Sequence, residues 1–388
     1  MLRLFPRSWF NRSNLVQRIH AEQIDALQTH WRIWLAKAIA RVASDGSVDV
    51  SNAVARLHGL SPEQLLEFDR VLRYGWDPSE DLDEVRRVPM VAIDEQRPED
   101  DAYLFIASAH PNGFVREQAI LTFRHYPGRL AMAAALIRCD DWVGKVRAAA
   151  SELLVRLVGE SSGIEMVELL QLILLLRQRN RFGEGVWSTV IEPKLLEPAL
   201  REARWAATAA KSALVRGFAF QLVLRADPDR AEAALLAAVS DDHPGIALWA
   251  IEQVIEAPGS SACRDVLERA ALHKRASIRA QSLRLRFQRD PAGSEALLRQ
   301  AIFDPARAPR NAAAYLLRTG FQRSALADWH DALDEKDSKR EEIALAALSE
   351  HGEACDHDRL APYLTHSKPR LRALALRALA RMGSDDLR

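Results

Sequence analysis

Cysteine is scarce in this chain, and the little there is follows no pairing pattern. Cys139, Cys263 and Cys355 lie far apart without C-x-x-C spacing, so neither a disulfide framework nor a zinc ribbon is expected, and a reducing compartment is. Long apolar runs are also missing. Residues 1–13, MLRLFPRSWFNRS, lack the apolar stretch of a signal peptide. The most apolar segment, residues 164–176, is too short to span a bilayer and reads as a buried helix. The expectation is a cytoplasmic protein with no membrane contact. Aromatic residues make up only 7%, and no alternating β-branched run asks for a sheet. Charge of either sign cancels, with 53 basic against 53 acidic residues and a pI near 7.2. A surface built wholly for nucleic acid would not balance in this way. There is no glycine-rich phosphate loop, no H-E-x-x-H and no G-x-S-x-G. His351, Cys355 and His357 are ligand types on one short stretch, yet no fourth ligand stands at a structural-zinc spacing. No catalytic residue, cofactor or metal is expected.

What the chain has in abundance is a repeated helix. Residues 140–157, DDWVGKVRAAASELLVRL, run from a polar turn into a segment whose Val143, Val146, Ala150, Leu153, Leu154 and Leu157 share one face at three- and four-residue steps. Taking Arg147 as an anchor, a small residue stands three places on and a larger apolar one seven places on. The frame recurs at Arg116, Arg216, Ala247, Arg279 (there with only its small residue, Ser282), Arg310, Glu341 and Arg372, with steps of 31, 69, 31, 32, 31, 31 and 31 residues along the eight anchors. Six places before the anchor stands Asp or His in six cases: His110, Asp141, Asp241, His273, Asp304 and His366. The small residue lets neighbouring helices approach, and the larger one fills the next layer. The acidic residue is placed to cap free backbone N–H groups. The anchor arginine, Arg147 included, is expected to hydrogen-bond the turn of an adjacent repeat. Each unit has another helix upstream, such as residues 129–138, 228–239 and 294–302, with Asp227-Pro228 and Asp290-Pro291 as starts. A period held this closely is the mark of a solenoid of two-helix units, which also explains how 388 residues can avoid a single large core.

The phrases DDWVGKVRAAASELL, HPNGFVREQAILTF and HSKPRLRALALRALARMG resemble the HEAT-repeat family. The short period resembles its bacterial HEAT-like branch, named after phycobilin lyase subunits. The resemblance covers about residues 98–383. It implies an all-α fold, an α-solenoid of about eight or nine two-helix repeats. It says little about activity, because the family includes scaffolds, assembly factors and a few enzymes. The His-Glu dipeptides of its di-iron hydroxylases are absent. Its DNA glycosylases hold a damaged base beside tryptophans and an aspartate on a basic face. Here Trp142, Trp187, Trp205, Trp249 and Trp329 could supply aromatics, and Asp328 or Asp331 a carboxylate, although Trp142 and Trp249 read as packing residues.

Residues 1–97 do not follow the repeat and are expected to form a helical N-terminal cap or extension, with residues 98–388 as the solenoid. Residues 14–42 read as a long helix holding Trp31 and Trp34. Ser61-Pro62-Glu63-Gln64 is a capping box opening a second helix. Regularity fails near residues 161–195. Ser162 and Glu165 are expected to cap a helix there, the surplus residues fall at 177–186, and Pro193 and Pro198 interrupt the segment after them. Residues 264–323 carry a net charge of +8 and residues 327–358 one of −8. Arg284, Tyr315, Arg318, Arg377 and Arg381, on second helices off the buried face, are the candidate partner-binding residues. The function expected is a non-enzymatic scaffold or adaptor binding another protein, with an acidic one suited to the basic segment, on the solenoid's inner face. A nucleic-acid-binding HEAT-like protein, with an alkylated-base DNA glycosylase as its enzymatic form, is the alternative.

Overall fold

The computed structural model describes residues 52–74, 100–255, 261–335 and 338–382. The expected helix at residues 14–42 and the tail at 383–388 lie outside them; of residues 77–101, whose acidic, proline-containing sequence reads as a connection, 77–99 also lie outside and 100–101 are helical. Among the described residues the chain is all-α, without strands. No described helix is long and apolar enough to cross a membrane. The chain divides into two compact units, Met1–Pro228 and Asp229–Arg388.

The first unit begins, among the described residues, with α1 (Ala53–His58) and α2 (Pro62–Tyr74). The capping box forms as expected: Gln64 N–H donates to Ser61 Oγ at 3.2 Å, and Ser61 N–H donates to Gln64 Oε1 at 2.9 Å. Hairpins come next, each helix packed on its successor: α3 (Asp100–Ser108) with α4 (Gly113–Thr122), then α5 (Arg129–Arg138) with α6 (Gly144–Glu160). First helices pack on first helices, α3 on α5, and second on second, α4 on α6. The α2 helix lies against α5, and its Phe68 ring stacks on Phe105 at 6.3 Å.

The second unit continues the pattern. Its hairpins are α11 (Ala231–Val239) with α12 (Pro244–Ile255), α13 (Ser261–Ala271) with α14 (Ala276–Arg289), and α15 (Glu295–Ala301) with α16 (Arg307–Phe321). They are succeeded by α17 (Leu326–Asp334) with α18 (Ser338–His351), then by α19 (His357–Leu360) and α20 (Pro369–Met382). The second helices again pack side by side, α12 on α14, α14 on α16 and α18 on α20. Asp290 starts its hairpin as the Asp-Pro reading requires, its Oδ1 accepting from Gly293 N–H at 2.8 Å.

Packing obeys the anchor frame. Three places on, Ala119, Ala150, Ala219, Ala250, Ser282, Ala313, Ala344 and Ala375 are all fully buried. Seven places on, Phe123, Leu154, Val223, Val254, Leu317, Leu348 and Leu379 are buried too. Ser282, the one polar residue in the first set, satisfies its hydroxyl by donating to Leu267 O at 2.7 Å, as a buried polar group must.

Between Glu160 and the hairpin of α9 (Arg201–Ala207) and α10 (Ala213–Ala226) the chain departs from what its sequence suggests. The single helix expected at residues 164–176 is broken at Leu169 into α7 (Ile164–Glu168) and α8 (Leu170–Arg177). The Ser162–Glu165 capping box does not form. The N-cap is Gly163 at φ 85°, and the Ser162 hydroxyl serves only Ile164 N–H, at 3.4 Å. The left-handed φ favours a glycine there, and an added Cβ would also crowd the flexible end of Lys194, 2.9 Å away. A turn over residues 178–183 leads into a helical run containing the π-helical segment Trp187–Ile191. Pro193 accounts for it. Proline has no N–H for the carbonyl four residues back, so the ladder shifts register, and Glu192 N–H bonds Trp187 O five residues away.

The buried frame makes an uneven prediction for two substitutions on α6. Ala150→Leu should destabilise by about 1–3 kcal/mol, because added volume in a closed contact forces strain, whereas the volume-conserving Leu154→Met should cost less than about 1.5 kcal/mol. Urea melts compare them directly. A neutral Ala150→Leu would mean that α6 has room at that contact.

Candidate partner-binding surface and the arginine ladder beneath it

The residues before six of the second helices form one recurring turn. Asp141 Oδ1 accepts from Val143 N–H at 2.9 Å, Asp241 Oδ1 from His243 N–H at 2.7 Å, and Asp304 Oδ1 from Ala306 N–H at 2.8 Å. Where histidine stands instead, its Nδ1 accepts the same bond: His110 from Asn112, His273 from Arg275 and His366 from Lys368, at 2.9, 3.0 and 3.1 Å. Their place in the sequence suggests helix capping; in the structure they act as side-chain mimics of a backbone turn.

The anchor arginine closes that turn from behind. Its Nη1 donates to the carbonyls five and six residues back, as Arg116 does to Pro111 and His110, Arg279 to Lys274 and His273, Arg310 to Pro305 and Asp304, and Arg372 to Ser367 and His366. The remaining edge of the fork reaches forward. Arg116 Nε and Nη2 bind both oxygens of Asp141 at 2.8 Å each, and Arg279 binds Asp304 at 2.8 and 2.7 Å. This is the expected contact with an adjacent repeat's turn, in the planar bidentate form that only arginine provides. Arg147 is a correction. It reaches its own turn, donating to Asp141 O at 2.7 Å, and not a neighbour's, because the regular hairpin that would supply the next aspartate is replaced by α7 and α8.

Asp141 is the centre of a buried charge network. Besides Arg116 it meets Arg138 Nη1 at 3.2 Å and Arg73 Nη2 at 3.5 Å. Arg138 in turn binds Asp69 of α2. Arg116, Arg138 and Asp141 have no exposed side-chain surface. Burial pushes the Asp141 carboxyl up, but the Arg116 hydrogen bonds, the Val143 N–H and the charges of Arg138 and Arg116 outweigh it and hold the group below the ordinary carboxylate value. Desolvation, then the neighbouring Arg138 charge, depresses Arg73. A third fork of the same kind, unforeseen from the anchor frame, joins Arg204 of α9 to Asp227 at 3.1 and 2.8 Å, while Arg204 Nη1 holds the Leu195 and Glu197 carbonyls.

Four of the five candidate binding residues stand clear of this framework. Arg284, Tyr315, Arg318 and Arg377 are exposed, Tyr315 by 57%. Arg284, Tyr315 and Arg377 each lie five places after an anchor, on α14, α16 and α20. The Arg318 guanidinium lies 5.9 Å from the Tyr315 ring centre, and Arg284 touches Gln281 at 3.5 Å. Arg381 is different: its guanidinium donates to the carbonyls of Ser349, Leu348 and Gly352 and so closes the C-terminal end of α18. Its charge serves the fold.

The opposed charge of residues 264–323 and 327–358 is partly internal. Arg299 and Arg323 meet Asp328 at 2.9 and 3.4 Å, and Arg307 and Arg310 meet Glu350 at 3.4 Å each. The tryptophans and aspartates weighed for a base pocket are also dispersed. Trp187 and Trp329 are 1% exposed, Trp329 Nε1 donates to Ile302 O, and Asp328 is engaged by arginines. Trp205 and Trp249 are half-buried. Trp142, expected to pack, is 63% exposed: Asp141 is drawn inward by its arginines, which turns the next residue out, under the Arg116 guanidinium at 5.7 Å. His351 is taken up by Asn311 at 2.8 Å and by stacking on Trp329.

Two measurements test the ladder. Arg116→Ala should cost on the order of 3 kcal/mol, because it leaves buried carboxylate and carbonyl groups short of donors. Arg147→Ala should cost about 1 kcal/mol for its single bond, and Arg156→Ala, which loses only an exposed pair with Glu160, under about 0.5 kcal/mol. Equal melting shifts for the three would rule the ladder out. Acid titration is the other. A depressed carboxyl contributes stability that is present above the ordinary value of about 4 and lost as the pH falls through its lower folded value. Asp141→Asn should therefore be less stable at neutral pH and show a shallower loss of melting temperature below pH ~4 than the parent.

No family model matches the chain, and no curated protein matches it.

Proposed function

We propose that the chain is an α-solenoid of HEAT-like repeats that works as a non-enzymatic scaffold, binding a partner protein along the row of its second helices. The observation that carries this reading is the register of Arg284, Tyr315 and Arg377. All three are exposed at the same repeat position, on second helices of one unit, with Arg318 beside Tyr315. Contact between α14 and α16 and between α18 and α20, with the Arg310–Glu350 and Asn311–His351 links between α16 and α18, makes such positions line up as a stripe. Tyrosine and arginine are the types that dominate binding hot spots. Nearby arginines are neutralised by Asp328 and Glu350, whereas the cations of the stripe are left to meet an acidic partner. A cytoplasmic setting belongs to the same proposal and is supported by Cys139, Cys263 and Cys355, none of which is in a disulfide and of which Cys355 is exposed.

Charge reversal tests it. The Arg284→Glu/Arg318→Glu double variant should retain its melting temperature within a degree or two and lose at least ten-fold in partner capture, compared with the parent in pull-downs with nuclease at two salt concentrations. A double variant that captures the same proteins equally well removes the stripe from the function. Loss of duplex DNA binding in place of protein binding, with a steep fall of affinity with salt, would favour the nucleic-acid alternative.

A further inference from the structure

The first unit has a surface that the scaffold reading does not use. Phe114 and Trp142 are 70% and 63% exposed, large apolar groups that a folded chain ordinarily hides. Phe114 stands in the first turn of α4 and Trp142 on the turn before α6, and those two turns touch. An added Cβ at Gly113 would lie 3.3 Å from Val143 Cγ2, and the Arg116 fork ties the first turn to Asp141 of the second. Both turns are held rigidly by their own bonds: Asn112 N–H to His110, Phe114 N–H to Asn112 Oδ1 at 3.0 Å, and Val143 N–H to Asp141. An aromatic group on so fixed a base loses little freedom when it is covered.

Beside this edge lies an open cavity of about 370 Å³ lined by Asp140, Gln178, Arg179, Asn180 and Arg181. It is made by the irregular turn after α8 and by the residue two places before Trp142. Arg179 binds Asp140 through Nη1 at 3.2 Å and remains 45% exposed. Arg181 is exposed and makes no ion pair among the described residues. The lining therefore carries two cations against one carboxylate, with two side-chain amides as further donors. Asp141, next to Asp140, is consumed by the buried arginines, and Glu184, where the turn ends, lies 4.0 Å from Arg177.

We propose that this turn edge docks an acidic peptide segment, an apolar side chain of which covers Phe114 and Trp142 while its carboxylates meet Arg179 and Arg181. Charge complementarity selects the occupant, since carboxylates match a lining in which Asp140 answers only one of the two guanidiniums, and a bulky side chain matches the aromatic edge. A nucleic-acid strand fits less well. Two arginines neutralise few phosphates, and one face of the Trp142 ring already has the Arg116 guanidinium over it. This inference is independent of the stripe on the second unit.

The probe is a membrane array of hexapeptides in which the number of Asp/Glu residues runs from none to four and one position alternates between Phe, Trp, Leu and Ser. The full chain should bind hexapeptides with two or more carboxylates and an aromatic or leucine side chain. Trp142→Ala, and separately Arg179→Glu/Arg181→Glu, should each lower that signal at least ten-fold with the melting temperature unchanged. If Trp142→Ala melts lower, Phe114→Ser, whose side chain lies outside the arginine network, takes its place. The Arg284→Glu/Arg318→Glu variant should keep the full pattern, which separates failure here from failure of the scaffold stripe. Absence of binding to every hexapeptide, binding that ignores carboxylate number, or binding unaffected by these variants would overturn the proposal. So would displacement of the peptides by a single-stranded 12-mer oligonucleotide with steep salt dependence.

Discussion

The fork between Arg116 and Asp141, repeated by Arg279 and Asp304, is the constraint on which the rest depends. A helical hairpin buries one face and leaves the turn between its helices with unpaired carbonyls. One guanidinium answers both needs, taking the carbonyls of its own turn with Nη1 and the carboxylate of the next turn with its other edge. It thereby fixes the spacing of successive hairpins as well as closing each. Taking such a pair out of water is costly, and at Asp141 the cost is offset by a dense set of donors: Arg116, Arg138, Arg73 and a backbone N–H. The same carboxylate shapes its own turn, so turn geometry and hairpin spacing cannot be varied separately there.

Breaks in the ladder are matched on both sides. Arg116 and Arg279 each face an aspartate 25 residues on. Ala247 and Glu341, the two anchors that are not arginine, are succeeded by His273 and His366 at the corresponding turns. Imidazole Nδ1 reproduces the acceptor that shapes the turn, but it offers neither the second oxygen nor the charge that a guanidinium fork requires. Histidine therefore suits a turn that no arginine addresses. Near Glu341 a different bond appears, the Tyr363 hydroxyl donating to Glu341 Oε1 at 2.8 Å while the tyrosine ring stacks on His366. Burial, together with this bond, raises the Tyr363 hydroxyl well above the ordinary phenol value and keeps it a donor.

The helices and their buried faces are legible in the sequence because a 3.6-residue period records which positions meet a neighbour; Ala150 and Leu154 declare themselves in this way. The arginine's reach to another turn is legible in kind, since a fixed step from Arg to Asp recurs, but Arg147 misleads because its partner hairpin is missing. Nothing periodic marks Arg204 with Asp227 or Arg138 with Asp69, since neither arginine stands at an anchor position. The charge contrast misleads for a related reason. Counting along the chain treats residues 299 and 328, or 310 and 350, as remote, whereas helix stacking makes them neighbours. Residue type assigns Trp142 to packing, while its direction is set by the residue before it.

The same geometry decides which charges remain for a partner. At about 100° per residue, the buried positions three and seven places after an anchor lie near ~300° and ~340° around the helix. The position five places on lies near ~140°, about half a turn from their midpoint. A side chain there points away from both neighbouring layers, so it cannot be recruited by a turn or an adjoining helix. Arg284, Tyr315 and Arg377 occupy that position. Arg381, nine places on, also leaves its helix on the outer side, but it sits in the last turn of α20, beside the open carbonyls that end α18, and it is captured by them. Whether an outward arginine serves binding or folding thus depends on what ends beside it. In the first unit the corresponding outer positions hold Leu121, Glu152 and Gln221, none of them basic, and its two exposed aromatic groups stand instead at the start of α4 and on the turn before α6, where the ladder holds Phe114 and Trp142 outward.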